Sequence, residues 1–125
     1  MDTQQKCRPI YTTRGDVGGF LVEPYIYNLL GEWIGWITPE RKVYSVHGMY
    51  VGWLTKDPRI LRKRAESYAE PRMTPPAKPA RFRPPATVPL APLMSELTHS
   101  ILDVFDEQDD LLPTVDFGEE RLDMD

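Results

Sequence analysis

One short phrase occurs three times in the first half of this chain, and it restricts the fold more than any other feature. Each copy contains a β-branched residue and a tyrosine, a glycine four positions later, and a final Gly-aromatic-apolar triplet. The copies begin at Ile10, Ile26 and Val43, 16 and 17 residues apart, and a further 17 residues leads to Ile60, a truncated fourth start. A repeat of fixed period indicates supersecondary units that need their neighbours to bury their apolar faces.

The glycine inside each copy indicates a β-hairpin. A β-branched residue followed by an aromatic one is typical of strands, and Gly15, Gly31 and Gly48 lie between two apolar runs in each copy. Glycine supplies the positive φ that a tight hairpin turn requires. The second strands of the hairpins are predicted at Val17–Val22, Trp33–Ile37 and Tyr50–Leu54.

Prolines mark the connections between hairpins. Pro9, Pro24, Pro39 and Pro58 each lie just ahead of an opening strand, and proline is excluded from central strand ladders. We therefore predict an all-β fold over residues 4–64, a small meander of about eight short strands in four pseudo-symmetric hairpins that close into a shallow barrel. The first strand is expected at Gln4–Cys7 and the last at Arg59–Arg64.

The second strands are apolar on both faces, and one glycine position recurs within them. Gly19, Gly35 and Gly52 occupy the same place in the three copies. A glycine in the interior of a strand often marks the close approach of another backbone segment. We expect such an approach at each of the three positions.

The repeated phrase resembles the repeat of the four-fold beta-flower proteins, a bacterial family of small β domains whose hairpins surround a pseudo-four-fold axis. The resemblance covers residues 9–64 and is closest in the second and third copies. The first copy has Gly18 and Phe20 where the others have Ile or Val and Trp, and the fourth start has Leu61 in place of the tyrosine. The resemblance implies a fold and implies no reaction, cofactor or ligand.

The composition changes sharply after the repeats. Residues 71–92 hold eight of the thirteen prolines, a composition that does not build a packed core. We predict a disordered, basic, proline-rich linker over residues 65–92. Residues 1–85 carry 14 basic and 8 acidic side chains, a net charge of +6, whereas residues 86–125 carry 1 and 11, a net charge of −10. Segregated charge of this kind is typical of interaction tails.

A short amphipathic helix is predicted over residues 93–106, followed by an acidic disordered tail over residues 107–125. The apolar stripe of this helix consists of Met94, Leu97, Ile101 and Phe105. Such a stripe either docks on its own β domain or fills a groove of a protein partner. Because the linker is longer than docking on the same domain requires, we expect an unknown protein partner at this helix.

The sequence contains no arrangement typical of an enzyme. Neither His47 nor His99 has an acid or nucleophile at a recognisable spacing, and Cys7 has no nearby histidine. No set of ligands typical of a metal site and no phosphate-binding loop is found, so we expect no cofactor and no catalytic residue. The first residues include no apolar run, which predicts a cytoplasmic protein without a signal peptide.

Aromatic residues offer an alternative function in ligand or membrane-surface binding. The candidate surface consists of Tyr27, Trp33, Trp36, Tyr44 and Trp53. With the basic strand Arg59–Arg64 it could contact an anionic lipid surface, although repeated aromatics more often form the core of a small domain. Nucleic acid is disfavoured because the acidic tail would compete with phosphate. Homo-oligomerisation is left open, since so small a domain is marginal alone.

Overall fold

The computed structural model describes residues 7–64 and 71–115. Its sheet has eight antiparallel strands, each paired with the next along the chain, in a curled half-barrel meander. The strands are β1 (Arg8–Tyr11), β2 (Val17–Val22), β3 (Tyr25–Tyr27), β4 (Trp33–Ile37), β5 (Lys42–Ser45), β6 (Tyr50–Leu54), β7 (Ile60–Lys63) and β8 (Ile101–Asp103). The all-β meander predicted from the repeats is therefore confirmed.

The first three hairpins have their tips at the predicted glycines. Gly15, Gly31 and Gly48 have φ of 97°, 83° and 83°, a region that side-chain-bearing residues rarely adopt. In each tip the glycine amide donates a hydrogen bond to the carbonyl three residues earlier, at 2.9 to 3.1 Å. We number the hairpins one to three from β1–β2, β3–β4 and β5–β6.

The fourth hairpin is built from residues that lie far apart in the sequence. Strand β7 pairs with β8, with Lys63 opposite Ile101, and the Arg64 amide donates to the Ser100 carbonyl at 2.8 Å. A long connection between residues 64 and 100 therefore replaces the tight turn found in hairpins one to three. The eighth strand comes from the tail, whereas our prediction placed a strand at Gln4–Cys7, largely outside the described residues.

The structure also corrects the helix predicted over residues 93–106. Within residues 93–106 only the part that belongs to α1 (Val104–Glu107) is α-helical, and a 3-10 turn follows at Asp109–Leu111. Ile101–Asp103 extends the sheet instead, because β7 would otherwise expose an unpaired edge. The apolar spacing in the sequence is compatible with a helix, but the free hydrogen-bonding edge that β7 would otherwise have favours a strand.

The connecting segment, which we define as residues 71–100, contacts the hairpins in reverse order. The Met73 amide donates to the Gly48 carbonyl of hairpin three at 3.0 Å, and the Phe82 amide donates to the Gly31 carbonyl of hairpin two at 2.9 Å. The Pro89 carbonyl then accepts a hydrogen bond from the Tyr11 hydroxyl of hairpin one at 2.7 Å. Residues 71–92 thus make defined contacts with the hairpins, while residues 65–70 of the predicted linker lie outside the described residues and its disorder stays a prediction.

Two apolar clusters lie on opposite faces of the sheet, since successive strand residues such as Leu21 and Val22 belong to different clusters. The first cluster contains the aliphatic strand residues, and Leu102, Val104 and Leu112 of the tail complete it. The second contains most of the aromatic residues, with Phe82 of the connecting segment packed against it. The chain after residue 70 thus supplies part of the core on both faces.

The recurrent strand glycines lie where the next hairpin approaches most closely. A Cβ on Gly19, Gly35 or Gly52 would overlap the carbonyl oxygen of Tyr27, Tyr44 or Leu61 respectively. These three carbonyls hold equivalent positions in the second, third and fourth copies of the phrase. The fourth copy therefore keeps the backbone packing of the repeat although leucine replaces its tyrosine.

Candidate functional site

The structure separates the four residues predicted to bind a partner. Met94 and Leu97 lie half-buried in irregular chain, and Ile101 lies in β8. Phe105, in α1, packs its ring against the backbone of Gly18 and Gly19 in β2, where an added Cβ on Gly18 would lie 2.6 Å from Phe105 Cδ2. They do not form one helical face, and Phe105 is used within the domain itself.

The first copy of the repeat is adapted to receive Phe105. Gly18 stands where the second and third copies have Ile34 and Val51, both buried in the first cluster. A β-branched side chain at position 18 would occupy the space that the phenylalanine ring fills. The departure of the first copy from the repeat therefore has a packing reason.

Most of the aromatic residues predicted as a ligand surface are buried. Tyr27, Trp33, Trp36 and Tyr44 belong to the second cluster, and Trp53 is half-buried. The indole N–H of Trp33 donates to the Gly35 carbonyl at 2.7 Å and that of Trp36 to the Ser45 carbonyl at 3.2 Å. Satisfied donors and buried rings are typical of core aromatics, and of these four residues only Trp33 also borders a cleft, of about 90 Å³, among the described residues.

The basic strand Arg59–Arg64 does not present all its charges to solvent. Arg59 is buried and forms a salt bridge with Asp57 at 2.7 Å. Arg62 Nη1 donates to the Val51 carbonyl at 2.9 Å. Arg64 is exposed and lies 3.3 Å from Glu107. Arg59 and Arg62 are thus used for contacts within the domain, and contact of this strand with an anionic lipid surface stays a prediction.

A buried polar cluster joins hairpin one to hairpin four. Asp103 Oδ2, in β8, accepts hydrogen bonds from the amide and the hydroxyl of Thr13, both at 2.7 Å. Arg59 Nη1 donates to Thr13 Oγ1 at 3.1 Å and so connects the cluster to Asp57. Asp103 Oδ1 has no hydrogen-bond partner among the residues the structure describes. The cluster links the two ends of the strand order, β1 and β8.

The two acids of this cluster have pKa values shifted in opposite directions. Burial raises the pKa of Asp103, and the hydrogen bonds from Thr13 oppose this only in part. Burial acts in the same sense on Asp57, but hydrogen bonds from Arg59 and Thr55 and the charge of Arg59 outweigh it, so the pKa of Asp57 is lowered.

The two pKa values are shifted in opposite directions. Replacing each acid by a neutral asparagine should therefore change the pH dependence of stability in opposite senses. The stabilising contribution of Asp103 is complete below its unfolded pKa and is lost as pH rises through its higher folded pKa. That of Asp57 is present above its unfolded pKa and is lost as pH falls through its lower folded pKa. From about pH 3 to pH 7, D103N should therefore gain stability relative to the natural protein, and D57N should lose it. Urea unfolding at several pH values measures both, and trends of the same sign would contradict the assignment.

The described part of the chain was also searched for metal sites, clefts and membrane-spanning helices. Among residues 7–64 and 71–115, no group of three or more His, Cys, Asp or Glu side chains could hold a metal ion. A cleft of about 270 Å³ lies between the tip of hairpin three and the tail, with Met49, Tyr50 and Leu111 in its walls. No helix within these residues is long and apolar enough to cross a membrane.

Comparison with known proteins agrees with this architecture. A family model described as 4-fold beta flower protein matches residues 8–101. The chain belongs to this family. No curated protein and no solved structure gives a match. The matched range extends from β1 to the first residue of β8, so the beta-flower unit includes the connection that hairpin four requires.

Sequence reasoning missed several exposed apolar residues of this beta-flower protein. Leu90 and Leu93 in the connecting segment, and Leu29, Leu30 and Met49 at hairpin tips, are large apolar side chains in solvent. A signal was present for the four leucines. Two leucines occupy a turn where polar residues are usual, and Leu90 and Leu93 recur at a spacing of three in proline-rich chain.

Proposed function

We propose that this beta-flower protein is a non-enzymatic interaction module that presents residues 89–95 of its connecting segment to a protein partner. The observation that carries the proposal is the exposure of Leu90 and Leu93, at 95% and 103% of their reference areas. Two leucines held fully in water, three positions apart, form an apolar contact that a partner can bury.

Both ends of this stretch are attached to the domain. The Pro89 carbonyl accepts a hydrogen bond from the Tyr11 hydroxyl at 2.7 Å. The Ser95 carbonyl accepts one from Arg59 Nη1 at 3.1 Å, and Arg59 is itself held by Asp57. A stretch fixed at both ends loses less conformational entropy on binding than a free peptide, which favours its use as a recognition element.

The spacing of the leucines suits recognition of extended chain. Proline-rich segments favour a polyproline II conformation with three residues per turn, which brings positions 90 and 93 to the same side. Grooves lined by aromatic residues bind such segments in several domain families. The partner that fits best is therefore a protein with an apolar, aromatic-lined groove.

This proposal assigns partner binding to residues other than most of those predicted from the sequence. Phe105 packs on β2, and Ile101 lies in β8 away from Leu90 and Leu93 in the sequence, so the proposal does not use them. Met94 and Leu97 are half-buried, and only Met94 lies within the proposed residues 89–95. The proposed surface, residues 89–95, includes Met94 of the predicted stripe and otherwise precedes that stripe in the sequence.

Site-specific photo-crosslinking tests the proposal. A benzophenone amino acid placed at Leu93 in the full chain should form a covalent adduct with one protein of the producing cell. The same group at Thr87, an exposed position outside the stretch, should not. An excess of a synthetic peptide with the sequence of residues 87–97 should compete with formation of the adduct.

The double variant L90A/L93A provides the energetic check. Truncation of an anchor side chain costs about 2 kcal/mol or more of binding free energy, so affinity for the crosslinked partner should fall at least roughly thirtyfold. Thermal stability should not change, because both side chains lie outside the core. Equal adducts from positions 87 and 93, or unchanged affinity of the double variant, would refute the proposal.

A further inference from the structure

The tips of hairpins two and three carry exposed apolar side chains. In hairpin two, Leu29 and Leu30 are 53% and 65% exposed, and in hairpin three Met49 is 47% exposed. Met73 of the connecting segment, held against Gly48, is 40% exposed. Because β4 pairs with β5, these two hairpins are neighbours in the sheet. Their tips therefore offer apolar groups from two adjacent turns.

The connecting segment places an arginine beside each of these tips. Arg81 Nη2 donates to the Leu30 carbonyl at 3.1 Å, and Arg72 Nε lies 3.1 Å from Met49 Sδ. Both arginines are exposed. Residues 71–92 contain four basic and no acidic side chains. At each tip an arginine is thus held on a residue whose side chain is apolar, through the Leu30 carbonyl in hairpin two and the Met49 sulfur in hairpin three.

Acidic side chains also lie near the two tips. Glu32 accepts a hydrogen bond from Asn28 Nδ2 at 3.0 Å, within the same turn. His47, at hairpin tip three, is exposed. Lys78 and Arg81 line one cleft with Glu32, and Asp110 lines the cleft beside Met49. With Arg72, the two tips therefore combine projecting Leu and Met side chains with three nearby basic and two nearby acidic side chains.

We propose that the tips of hairpins two and three, with Arg72 and Arg81, form a surface that binds an anionic lipid membrane. Apolar side chains that project from turns can enter the interfacial region of a bilayer. Arginines beside them attract the negative surface of anionic lipids. This surface shares no residue with the proposed partner contact at Leu90 and Leu93, and it differs from the buried aromatic set considered above.

A bilayer fits these features better than an acidic protein. The apolar groups lie on separate turns, and a fluid interface accepts them at any spacing, whereas a folded partner must supply a complementary surface for each. Charge complementarity alone would suit either class. Only the apolar side chains distinguish a bilayer from an acidic protein. The experiment must therefore replace the arginines and the apolar residues in separate variants.

Vesicle flotation with the full chain tests the proposal. The protein should bind vesicles of phosphatidylcholine with phosphatidylglycerol and should not bind vesicles of phosphatidylcholine alone. Two arginine contacts contribute a factor of roughly thirty to partitioning, so R72Q/R81Q should reduce binding by about that factor. L29S/L30S and, in the other tip, M49Q should each reduce it severalfold, and higher salt should weaken it.

Matched variants separate the outcomes. L90A/L93A removes as much exposed apolar surface elsewhere and should bind anionic vesicles like the natural protein. Melting curves of every variant exclude unfolding as the cause of a loss. The proposal is overturned if anionic vesicles are not bound, or if binding survives the tip substitutions. Loss in R72Q/R81Q without any loss in L29S/L30S and M49Q also overturns it, since the apolar tips would then take no part in vesicle binding.

Discussion

Replacement of Phe105 by alanine is expected to destabilise the whole β domain. The Phe105 ring packs on Gly18 and Gly19 and against the first cluster, next to the tail residues that complete that cluster. Phe→Ala substitutions in cores cost about 3–5 kcal/mol, and because Phe105 is only half-buried we expect about 2–3 kcal/mol. For a domain of this size the melting temperature should fall by about 10 °C or more. Circular dichroism at increasing temperature measures it.

Leu93→Ala is the matched control for this variant. Leu93 is fully exposed, and surface substitutions usually change stability by less than about 0.5 kcal/mol. If F105A melts like L93A and the natural protein, then Phe105 does not dock on its own sheet. The tail would in that case be available to a partner, as the apolar stripe suggested.

Gly31→Ala and Gly48→Ala should each cost more than Gly15→Ala. All three glycines have positive φ, so each alanine bears a backbone penalty of roughly 1–2 kcal/mol. At Gly31 the new methyl group would also overlap the Phe82 carbonyl, and at Gly48 it would overlap the Met73 carbonyl. Nothing lies within 4 Å of a Cβ at Gly15. The additional loss of unfolding free energy in G31A and G48A, relative to G15A, therefore measures contact with the connecting segment. We expect this difference to exceed about 1 kcal/mol.

Limited trypsin digestion gives a second readout of the same contact. In the connecting segment trypsin can cleave after Arg72 and Arg81, because Lys78 and Arg83 are each followed by a proline. Proteolysis there follows the local opening of the segment, so G31A and G48A should be cut faster than the natural protein. G15A should be cut at the natural rate. Equal unfolding energies and equal cleavage for all three variants would show that the segment does not rest on the tips.

The hairpins could be predicted from the sequence because their signals are local. Positive φ at Gly15 and an opening β-branched–aromatic pair act within a few residues of chain, and the repeat places each hairpin beside the next. The close approach at Gly35 was predictable for the same reason. Its partner, the Tyr44 carbonyl, belongs to the next copy of the phrase.

The completion of hairpin four could not be predicted in this way. Its second strand lies 38 residues after Lys63, and Ile101, Leu102 and Val104 carry no repeat phrase that marks them. Apolar spacing alone does not distinguish a short strand from a short helix. The edge of β7 decides the outcome, and it exists only in the folded sheet.

The candidate site was missed for a related reason. Tryptophans and arginines attracted attention in the sequence because these residue types dominate binding surfaces. In the fold, however, Trp36 stacks on Tyr44 with ring centroids 5.1 Å apart, and Arg59 is buried with Asp57. The exposed groups are leucines and methionines, whose type alone predicts the core.

The most direct test of the whole account is the exchange rate of two amide protons. The path of the connecting segment requires the Met73 and Phe82 amides to donate to the Gly48 and Gly31 carbonyls. Hydrogen exchange followed by NMR should show both amides protected far above unstructured chain, as expected for hydrogen bonds that open only with local unfolding. Exchange of both amides at the rate of an unstructured peptide would mean that residues 71–92 are a free linker, and would contradict the account.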